Sequence, residues 1–313
     1  MSTICFTADH HIKLGAKNVP RDWQKNRFMM LAAELNKVEC DYHVFGGDLF
    51  DVAKPSIEEV GLCYDFLKVI EKPIVMISGN HEMQTKTRDC YTHIDQMLED
   101  LDVTTFREFT THDGIDYIPY NILHAGWDEK HSDYAVTHVR GFIPPHVQPE
   151  IDLAVFSEYK KVLAGDLHSV RNSQGNIWYP GSPMSTSFHR GGIPTGANGY
   201  FIFDTETGDN KWRELSLPHL LRETVTDPEL IVPTSYHHTI YELEGTVDEL
   251  GKVDASLELL DKKVNTHVAQ DAALDLVDKS IKEELALYLT EIKGITGKSH
   301  TRIMSRYHDN VTS

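Results

Sequence analysis

Short apolar segments that alternate with amphipathic helical patterns are the feature that most constrains the fold of this chain. In the first hundred residues, apolar segments at 3–8, 41–45 and 73–78 are each followed by a segment with apolar residues at helical spacing. After residue 105 the pattern changes to shorter β-like runs such as IDYIPY, YAVTHV and GYFIFDTETG. This order predicts an α/β fold in which two packed sheets form a sandwich flanked by helices.

The last third of the chain predicts smaller elements. A strand at HTIYELEG, a helix over 246–262 and a second strand at KKVNTHVAQ predict a small α+β domain. An amphipathic helix is predicted next, and a polar, mildly basic tail follows it. We therefore expect four segments, with bounds at 1–217, 218–270, 271–293 and 294–313.

Composition restricts the class of protein. The 313 residues contain no apolar stretch long enough to cross a bilayer and do not begin with a secretory pattern, so we expect a cytoplasmic protein without membrane contact. The four cysteines form no CxxC pair and are expected to be buried thiols. A net charge of −18 argues, by itself, against broad electrostatic binding of nucleic acid.

Five of the apolar segments lead directly into residues of the types that commonly bind divalent metals in proteins. In chain order these side chains are Asp9 and His11, Asp48 and Asp51, Asn80, His81 and Glu82, His138, and finally Asp166 and His168. Because strand ends in an α/β fold lie along one edge, we expect these groups to converge. Carboxylate, amide and imidazole groups without thiolates suit Mn²⁺, Fe or Zn²⁺, and they are too many for one tetrahedral ion. Two ions that share a carboxylate form a known arrangement for phosphoester cleavage.

Each of these loops also has a simpler interpretation. Gly-Asp and Asp-His pairs are ordinary in turns, and most histidines bind no metal. What favours a metal centre is that all five loops occur in this order on one chain.

The order of the motifs resembles that of the calcineurin-like metallophosphoesterases, over residues 3–205. The resemblance implies a first metal held by Asp9, His11, Asp48 and His168, and a second held by Asp48, Asn80, His138 and Asp166. It implies that His81 stays off the metals and protonates the leaving oxygen or stabilises its charge, while Asp51 and Glu82 orient histidines or loop backbone. The choice of His11 over His10, and of His138 over His124 or His131, rests on the family spacing.

The fifth motif departs from the family pattern. The family normally has Gly-His-x-His there, and in this chain Asp166 replaces the first histidine. A carboxylate can still ligate, and as a harder donor it favours Mn²⁺ or Mg²⁺. The alternative is a second site that is weakened or empty. We expect two divalent ions, Mn²⁺ in the first place and Mg²⁺ as the alternative.

Within the family, three segments resemble the SbcD-type recombination and repair nucleases, in particular the shorter bacteriophage exonuclease subunits. They are GGDLFDVAKPS at 46–56, YPGSP at 179–183 and GYFIFDTETG at 199–208. The Ser/Thr protein phosphatases share GNHE but continue the second motif with Arg-Gly, which is absent here. The resemblance implies a DNA exonuclease, with endonuclease activity as an option, located in the host cytoplasm if the chain is phage-encoded.

The same resemblance implies partners. Residues 218–270 would cap the site and guide DNA, and the helix over 271–293 would dock an SbcC-like ATPase of the SMC type. Packing of this helix on its own core is an equal alternative, and a homodimer stays open. Basic residues near the motifs are candidates for contact with the DNA backbone, namely Lys13, Lys17, Arg21, Lys54, Lys86, Arg88, Arg171 and Arg190.

Two rival functions stay open on the sequence alone. One is a metallophosphoesterase that acts on phosphoprotein or on small nucleotide esters. The other is a catalytically silent binding subunit that has kept the fold, for which the altered Asp166 leaves some room.

Overall fold

The structure is a computed structural model, and the residues it describes are 2–127, 130–193, 196, 198–233, 236–254, 258–264 and 279–311. The chain forms two compact units, 1–263 and 264–313. The domain bounds predicted at 217 and 270 stay predictions. None of the helices in the described part of the chain is long and apolar enough to cross a membrane.

The strands have these bounds: β1 Thr3–Thr7, β2 Tyr42–Gly46, β3 Ile74–Ile77, β4 Val103–Phe106, β5 Thr110–His112, β6 Ile115–Ile118, β7 Tyr134–His138, β8 Lys161–Gly165, β9 Ile177–Trp178, β10 His189–Arg190, β11 Gly199–Asp204, β12 Asn210–Glu214, β13 Leu220–Val225, β14 His238–Gly245 and β15 Leu259–Val264. The α-helices are α1 Arg21–Leu35, α2 Ile57–Lys68, α3 Asp95–Leu98, α4 Tyr120–Ala125, α5 Val247–Leu250, α6 Ile281–Leu287 and α7 Gly297–Val311. Short 3₁₀ turns span Cys90–His93, Leu153–Phe156, Val170–Asn172 and Pro228–Leu230, and a π-helical turn spans Tyr288–Ile292.

Two sheets of the first unit carry the predicted motifs. The six-stranded sheet has the order β12-β11-β1-β2-β3-β4, and the five-stranded sheet has the order β5-β6-β7-β8-β9. Strands β1 to β4 are parallel, as are β6 to β9, so within each set the carboxyl ends lie on one edge. β1 also pairs with β11 in antiparallel fashion, with Thr3 opposite Asp204.

The apolar side chains of the two sheets form three core clusters. Because successive strand residues face opposite sides, Ile4 and Phe6 pack between the sheets while Cys5 faces the helices. The layer outside the six-stranded sheet is filled by α1 and α2, and a third cluster lies around Phe156 beside the five-stranded sheet. The predicted α/β sandwich flanked by helices is confirmed, and the four cysteines are buried free thiols as predicted.

A four-stranded sheet, in the order β10-β13-β14-β15, follows the sandwich. It accounts for the predicted strand at HTIYELEG. The helix predicted over 246–262 covers only Val247–Leu250, because the helix is capped at Gly251 and β15 already begins at Leu259. In the second predicted strand, KKVNTHVAQ, residues 265–270 lie outside the described residues.

In the second unit the described chain is helical in two parts. The helix predicted over 271–293 begins at Ile281, because Ser280 and Glu283 form a capping box that fixes its start. Residues 271–278 of that prediction lie outside the described residues. The tail from 294, predicted only to be polar, contains α7 over Gly297–Val311.

Glu242 in β14 is the charged centre of the four-stranded sheet. Its buried carboxylate accepts hydrogen bonds from Arg222 and, at 2.8 Å, from Arg190, and it lies 3.0 Å from the Nζ of Lys263. The hydrogen bond from Arg222, with those from Lys263 and Arg190, lowers the pKa of Glu242 to about 2, although burial opposes this.

We expect Glu242→Gln to lower the free energy of unfolding by about 2 kcal/mol at pH 7, since charge-assisted hydrogen bonds are lost. The folded-state pKa lies below the reference value of 4.5, so this stabilisation is present above pH 4.5 and is lost as pH falls toward 2. Urea unfolding at pH 7 and pH 3 should show that the gap between variant and parent narrows in acid. The exposed Glu229→Gln is the control, and a gap that does not change with pH would contradict the expectation.

Candidate metal centre

The predicted motifs occupy the loops that follow five parallel strands. Those after β1, β2 and β3 leave the six-stranded sheet, and those at the ends of β7 and β8 leave the five-stranded sheet. The two sheets pack face to face, which brings these loops together. The sandwich therefore builds one site from two separate strand edges.

Three overlapping groups of side chains in the described chain have ligand atoms within 4.8 Å of one another. They are Asp9, His11 and His168; His11, Asp48 and His81; and Asp9, Asp48 and His138. Nε2 of His11 lies 3.1 Å from Nε2 of His168 and 3.8 Å from Oδ2 of Asp48. The groups share members, so the arrangement suits more than one ion.

Asp48 lies at the centre of the cluster. Its Oδ2 is 3.4 Å from Nε2 of His138, and its Oδ1 accepts a hydrogen bond of 2.9 Å from the backbone N–H of His81. Nε2 of His138 also lies 3.0 Å from Oδ1 of Asn80. Asp48, His138 and Asn80 thus converge, and their predicted role as ligands of a second metal stays a prediction.

Three glycines make room for the ring of His138. A Cβ on Gly47 or on Gly165 would lie 2.5 Å from Nδ1 of His138, and a Cβ on Gly79 would lie 2.8 Å from its Cε1. Nδ1 donates a hydrogen bond of 2.9 Å to the carbonyl of Gly46. That bond leaves Nε2 as the ring nitrogen that faces Asp48 and Asn80.

The backbone at the site is strained. Asp9, His11, Asp48 and Asp166 have φ values of 59°, 50°, 54° and 96°, in the left-handed region that side-chain-bearing residues seldom adopt. Strained backbone of this kind costs about 1–3 kcal/mol per residue and concentrates at functional sites. All four are predicted metal ligands.

Buried hydrogen bonds hold this strained backbone. The carboxylate of Glu82 accepts bonds of 2.8–2.9 Å from the backbone N–H groups of Asp48, Phe50 and Gly79. The N–H of Asp166 donates to Oδ1 of Asp9 at 2.9 Å, which links the loops of the two sheets. Glu82 therefore holds the backbone of two loops, and its role at a metal centre stays a prediction.

Electrostatics favours a cation in the cluster. Burial and the neighbouring Asp48 raise the pKa of Asp9 to about 6, against the opposing effect of His138 and His11. Burial would lower the pKa of His138, but Asp48 raises it well above its usual value. The negative field that draws a proton to His138 would draw a divalent cation to the same place.

The donor set fits a metal ion by a second criterion. Oδ2 of Asp9 is buried and has no hydrogen-bond partner among the described residues. Buried polar atoms without a partner are costly, and a metal ion would satisfy such atoms. Nitrogen and oxygen donors without thiolates match the predicted ion class.

His81 is placed differently from the buried ligands. Its Nδ1 donates a hydrogen bond of 2.6 Å to the backbone carbonyl of Asp51, and its side chain is 37% exposed. Nε2 is the ring nitrogen that takes no part in this hydrogen bond, and it lies 3.9 Å from Oδ2 of Asp48. Asp51 itself lies 3.5 Å from Nδ1 of His11 and 2.6 Å from Nζ of Lys13.

Asp166 does not join any of the three groups in the described chain. Both of its carboxylate oxygens accept hydrogen bonds of 3.2 Å from the guanidinium of Arg140, one from Nε and one from a terminal nitrogen. Its contact with the cluster is through its backbone N–H. The prediction that its side chain ligates the second metal stays a prediction, and the structure gives the carboxylate a different partner.

The three histidines that are alternatives to His11 and His138 lie outside the cluster. His10 is buried, with its ring 4.5 Å from that of Phe45 and its Nε2 3.1 Å from the hydroxyl of Thr7. The ring of His124 lies against Tyr120, and His131 lies near Thr111. His11 and His138 are the members of each set that the structure brings to the cluster.

Several residues around the site were not predicted to belong to it. Thr186 lies 3.0 Å from Nδ1 of His168 through its hydroxyl, and Arg140 holds Asp166. Neither residue lies in a recognisable motif. The glycines beside three of the strand ends, in contrast, are a signal that is visible in the sequence. A cavity of about 730 Å³ opens beside Asn80 and is lined by Lys86, Tyr120 and His124 among others.

Comparison with known proteins agrees with this arrangement. The sequence model of the calcineurin-like phosphoesterase family matches residues 2–194. The chain is 43% identical over 316 residues to "Probable exonuclease subunit 1" of Escherichia phage T5, covering 97% of each protein. It is also 35% identical over 85 residues to a subunit of the nuclease SbcCD of Staphylococcus epidermidis, a region that covers 25% of this chain and 22% of that protein.

Gly165→Ala should displace His138, because the added Cβ would lie 2.5 Å from its Nδ1 and 2.6 Å from the carbonyl of Gly46. We expect metal affinity to fall roughly tenfold or more, as it does when the support of a ligand is lost. Metal titration of the purified variant measures this, with circular dichroism as the check on folding. Gly61→Ala on α2, where a Cβ meets open space, is the control, and equal affinity in both variants would contradict the role of Gly165.

Proposed function

The chain belongs to the calcineurin-like phosphoesterase family, and from that premise we propose that it is a two-metal DNA phosphodiesterase that acts as the exonuclease subunit of a complex. The observation that carries the proposal is the set of three overlapping ligand groups, in which Asp9, His11 and Asp48 each belong to two groups. The relative from phage T5, which matches over nearly the whole chain, supports exonuclease activity by its name. Endonuclease activity is a second property to test.

The residues divide between two ion sites. Asp9, His11, Asp48 and His168 would hold the first ion, and Asp48, Asn80 and His138 would hold the second. Asp166 remains the predicted further ligand of the second site, with Arg140 as its hydrogen-bond partner. Mn²⁺ suits this nitrogen and oxygen set best, and Mg²⁺ is the alternative.

When bound, the two ions would polarise the phosphate of the substrate and would make hydroxide available near neutral pH. The protein supplies orientation. Nδ1 of His138 is fixed on the carbonyl of Gly46, and Glu82 fixes the backbone that presents Asp48. The left-handed backbone at Asp9 and His11 aims both side chains into the same volume.

His81 is the proposed general acid. Two hydrogen bonds hold it in place, from its backbone N–H to Asp48 and from its Nδ1 to the carbonyl of Asp51. A protonated Nε2 on the exposed edge of the ring would donate to the leaving oxygen of the phosphodiester. Its geometry would also let it stabilise the negative charge that develops there.

We propose DNA as the substrate and an SbcC-like ATPase of the SMC type as the partner. Both relatives are named as subunits, and one of them belongs by its name to the nuclease SbcCD. Exposed apolar side chains at Ile281, Tyr288 and Ile292 are available for docking in the second unit. The phage relative supports the predicted location in the host cytoplasm.

The decisive experiment compares diester, monoester and DNA substrates. With added Mn²⁺, we expect hydrolysis of bis-p-nitrophenyl phosphate and of linear DNA, loss of both after treatment with EDTA, and little hydrolysis of p-nitrophenyl phosphate. Elemental analysis should give two ions per chain. Preference for the monoester would favour a phosphatase, and inactivity on all three substrates with and without the ATPase would favour a silent binding protein.

His81→Ala should lower kcat on the diester by about 10²–10⁴, the usual contribution of a general acid. Metal content should stay at the level of the parent protein, because the proposed roles keep His81 off the metals even though a ring nitrogen of His81 lies within 4.8 Å of ligand atoms of His11 and Asp48. Inductively coupled plasma analysis and steady-state kinetics measure the two quantities. His146→Ala, at an exposed position in a loop, is the matched control; a loss of metal in His81→Ala would instead assign His81 as a ligand.

A further inference from the structure

Arg27 on α1 is a buried cation without a partner of opposite charge. It is 4% exposed, and the described part of the chain places no carboxylate within ion-pair distance of it. One terminal nitrogen donates to the carbonyl of Ser185 at 3.0 Å, and its Nε has no hydrogen-bond partner. Burial lowers the pKa of its guanidinium to about 9. The ring of Trp23 lies 4.9 Å from the guanidinium carbon and stabilises part of the charge, but arginine is seldom buried in this way unless an anion also pairs with it.

Two other buried polar atoms close to Arg27 also lack partners. Gln24, one turn earlier on α1, is 5% exposed and its Oε1 makes no hydrogen bond, while its Nε2 donates to the carbonyl of Lys13 at 3.3 Å. Nδ1 of the buried His10 has no hydrogen-bond partner among the described residues. Buried polar atoms without a partner are unusual, and these three belong to residues that line one cavity.

The residues that carry these atoms share a cavity of about 180 Å³. Arg27, Gln24 and His10 line it together with the side chains of Lys13 and Lys17. Nζ of Lys13 is already bound to Asp51 at 2.6 Å, so the acidic group on this wall is neutralised. The cavity therefore combines cationic groups with hydrogen-bonding groups, which is the environment that a phosphate group requires.

The cavity adjoins the metal centre. His11 and Asp51 form part of its wall, and so does Thr186, whose hydroxyl contacts His168. None of the residues predicted to bind metal is needed for the cationic character of the cavity, which comes from α1 and the loop before it. A ligand that occupies the cavity would lie directly beside a phosphate held at the metals.

We propose that this cavity binds a phosphate group, and that in a DNA strand it receives the phosphate adjacent to the one that is cleaved. The DNA part rests on the proposed function, whereas the phosphate site does not. A second phosphate contact of this kind would fix the register of the strand relative to the metal centre. It would also give an acidic chain a local attraction for the nucleic acid backbone.

The first test changes the substrate and needs no variant. Single-stranded oligonucleotides are made with one neutral methylphosphonate linkage, placed on the 5′ side or on the 3′ side of the linkage that is cleaved. We expect one of the two positions to raise KM for the intact protein about 10–100-fold, as loss of a charge-assisted contact does. KM unchanged at both positions would overturn the DNA part of the proposal.

The second test removes the cation. Arg27→Met should raise KM for the unmodified oligonucleotide by a similar factor, and the methylphosphonate should then add no further penalty. Lys25→Met, on the same helix but outside the cavity, is the matched control and should behave as the parent protein. A methylphosphonate penalty in Arg27→Met as large as in the parent protein would overturn the assignment, and a lowered Tm with the same penalty would assign Arg27 a structural role.

A third measurement separates the phosphate site from the proposed function. Inorganic phosphate should raise the Tm of the parent protein and of Lys25→Met more than that of Arg27→Met. If the parent protein cleaves no DNA, the proposed function fails, and this difference alone decides on the phosphate site. Equal stabilisation of all three proteins by phosphate would overturn the phosphate site. A smaller Tm shift in Arg27→Met, combined with a KM that neither methylphosphonate changes, would show that the site binds free phosphate and not the DNA backbone.

Discussion

The carboxylate of Asp48 is the point on which the rest of the site depends. One of its oxygens holds the backbone of His81, and the other faces the imidazoles of His11 and His138. Asp48 follows a strand of one sheet and His138 ends a strand of the other, so their approach requires the two sheets to pack closely. Packing of apolar strand residues and assembly of a charged cluster are thus one event in this protein.

Such a cluster is costly for the apoprotein. Buried carboxylates repel one another, and four residues adopt a backbone conformation that only glycine accepts freely. The structure offsets this with Glu82, which collects three backbone N–H groups, and with glycines that leave space for the ring of His138. Cations bound at the centre would relieve the remaining repulsion, and metal binding would then be coupled to folding stability.

Much of the site could be predicted because strand ends are visible in the sequence. The positions of Asp9, Asp48 and His138 follow from apolar runs that stop at a polar residue, and family spacing chose His11 over its neighbour His10. The pairing of Asp166 with Arg140 could not be predicted, since Arg140 lies in an irregular segment and contacts a residue in another loop. In the fold, the sandwich was predictable, whereas the short α5 was not, because helical spacing of apolar residues continues past Gly251. The capping box of Ser280 and Glu283 is also visible in the sequence, and it marks the residue at which α6 begins.

The pairing of β1 with β11 has a consequence for biosynthesis. β1 leaves the ribosome about two hundred residues before β11, which is one of its two neighbours in the sheet. Contacts so distant along the chain close slowly and only after their partner has been translated. Until then the nascent N-terminal strand has an open edge, and the loop that carries Asp9 and His11 is anchored on one side only. A phosphoesterase assembled in this order cannot complete its six-stranded sheet until β12 has been synthesised.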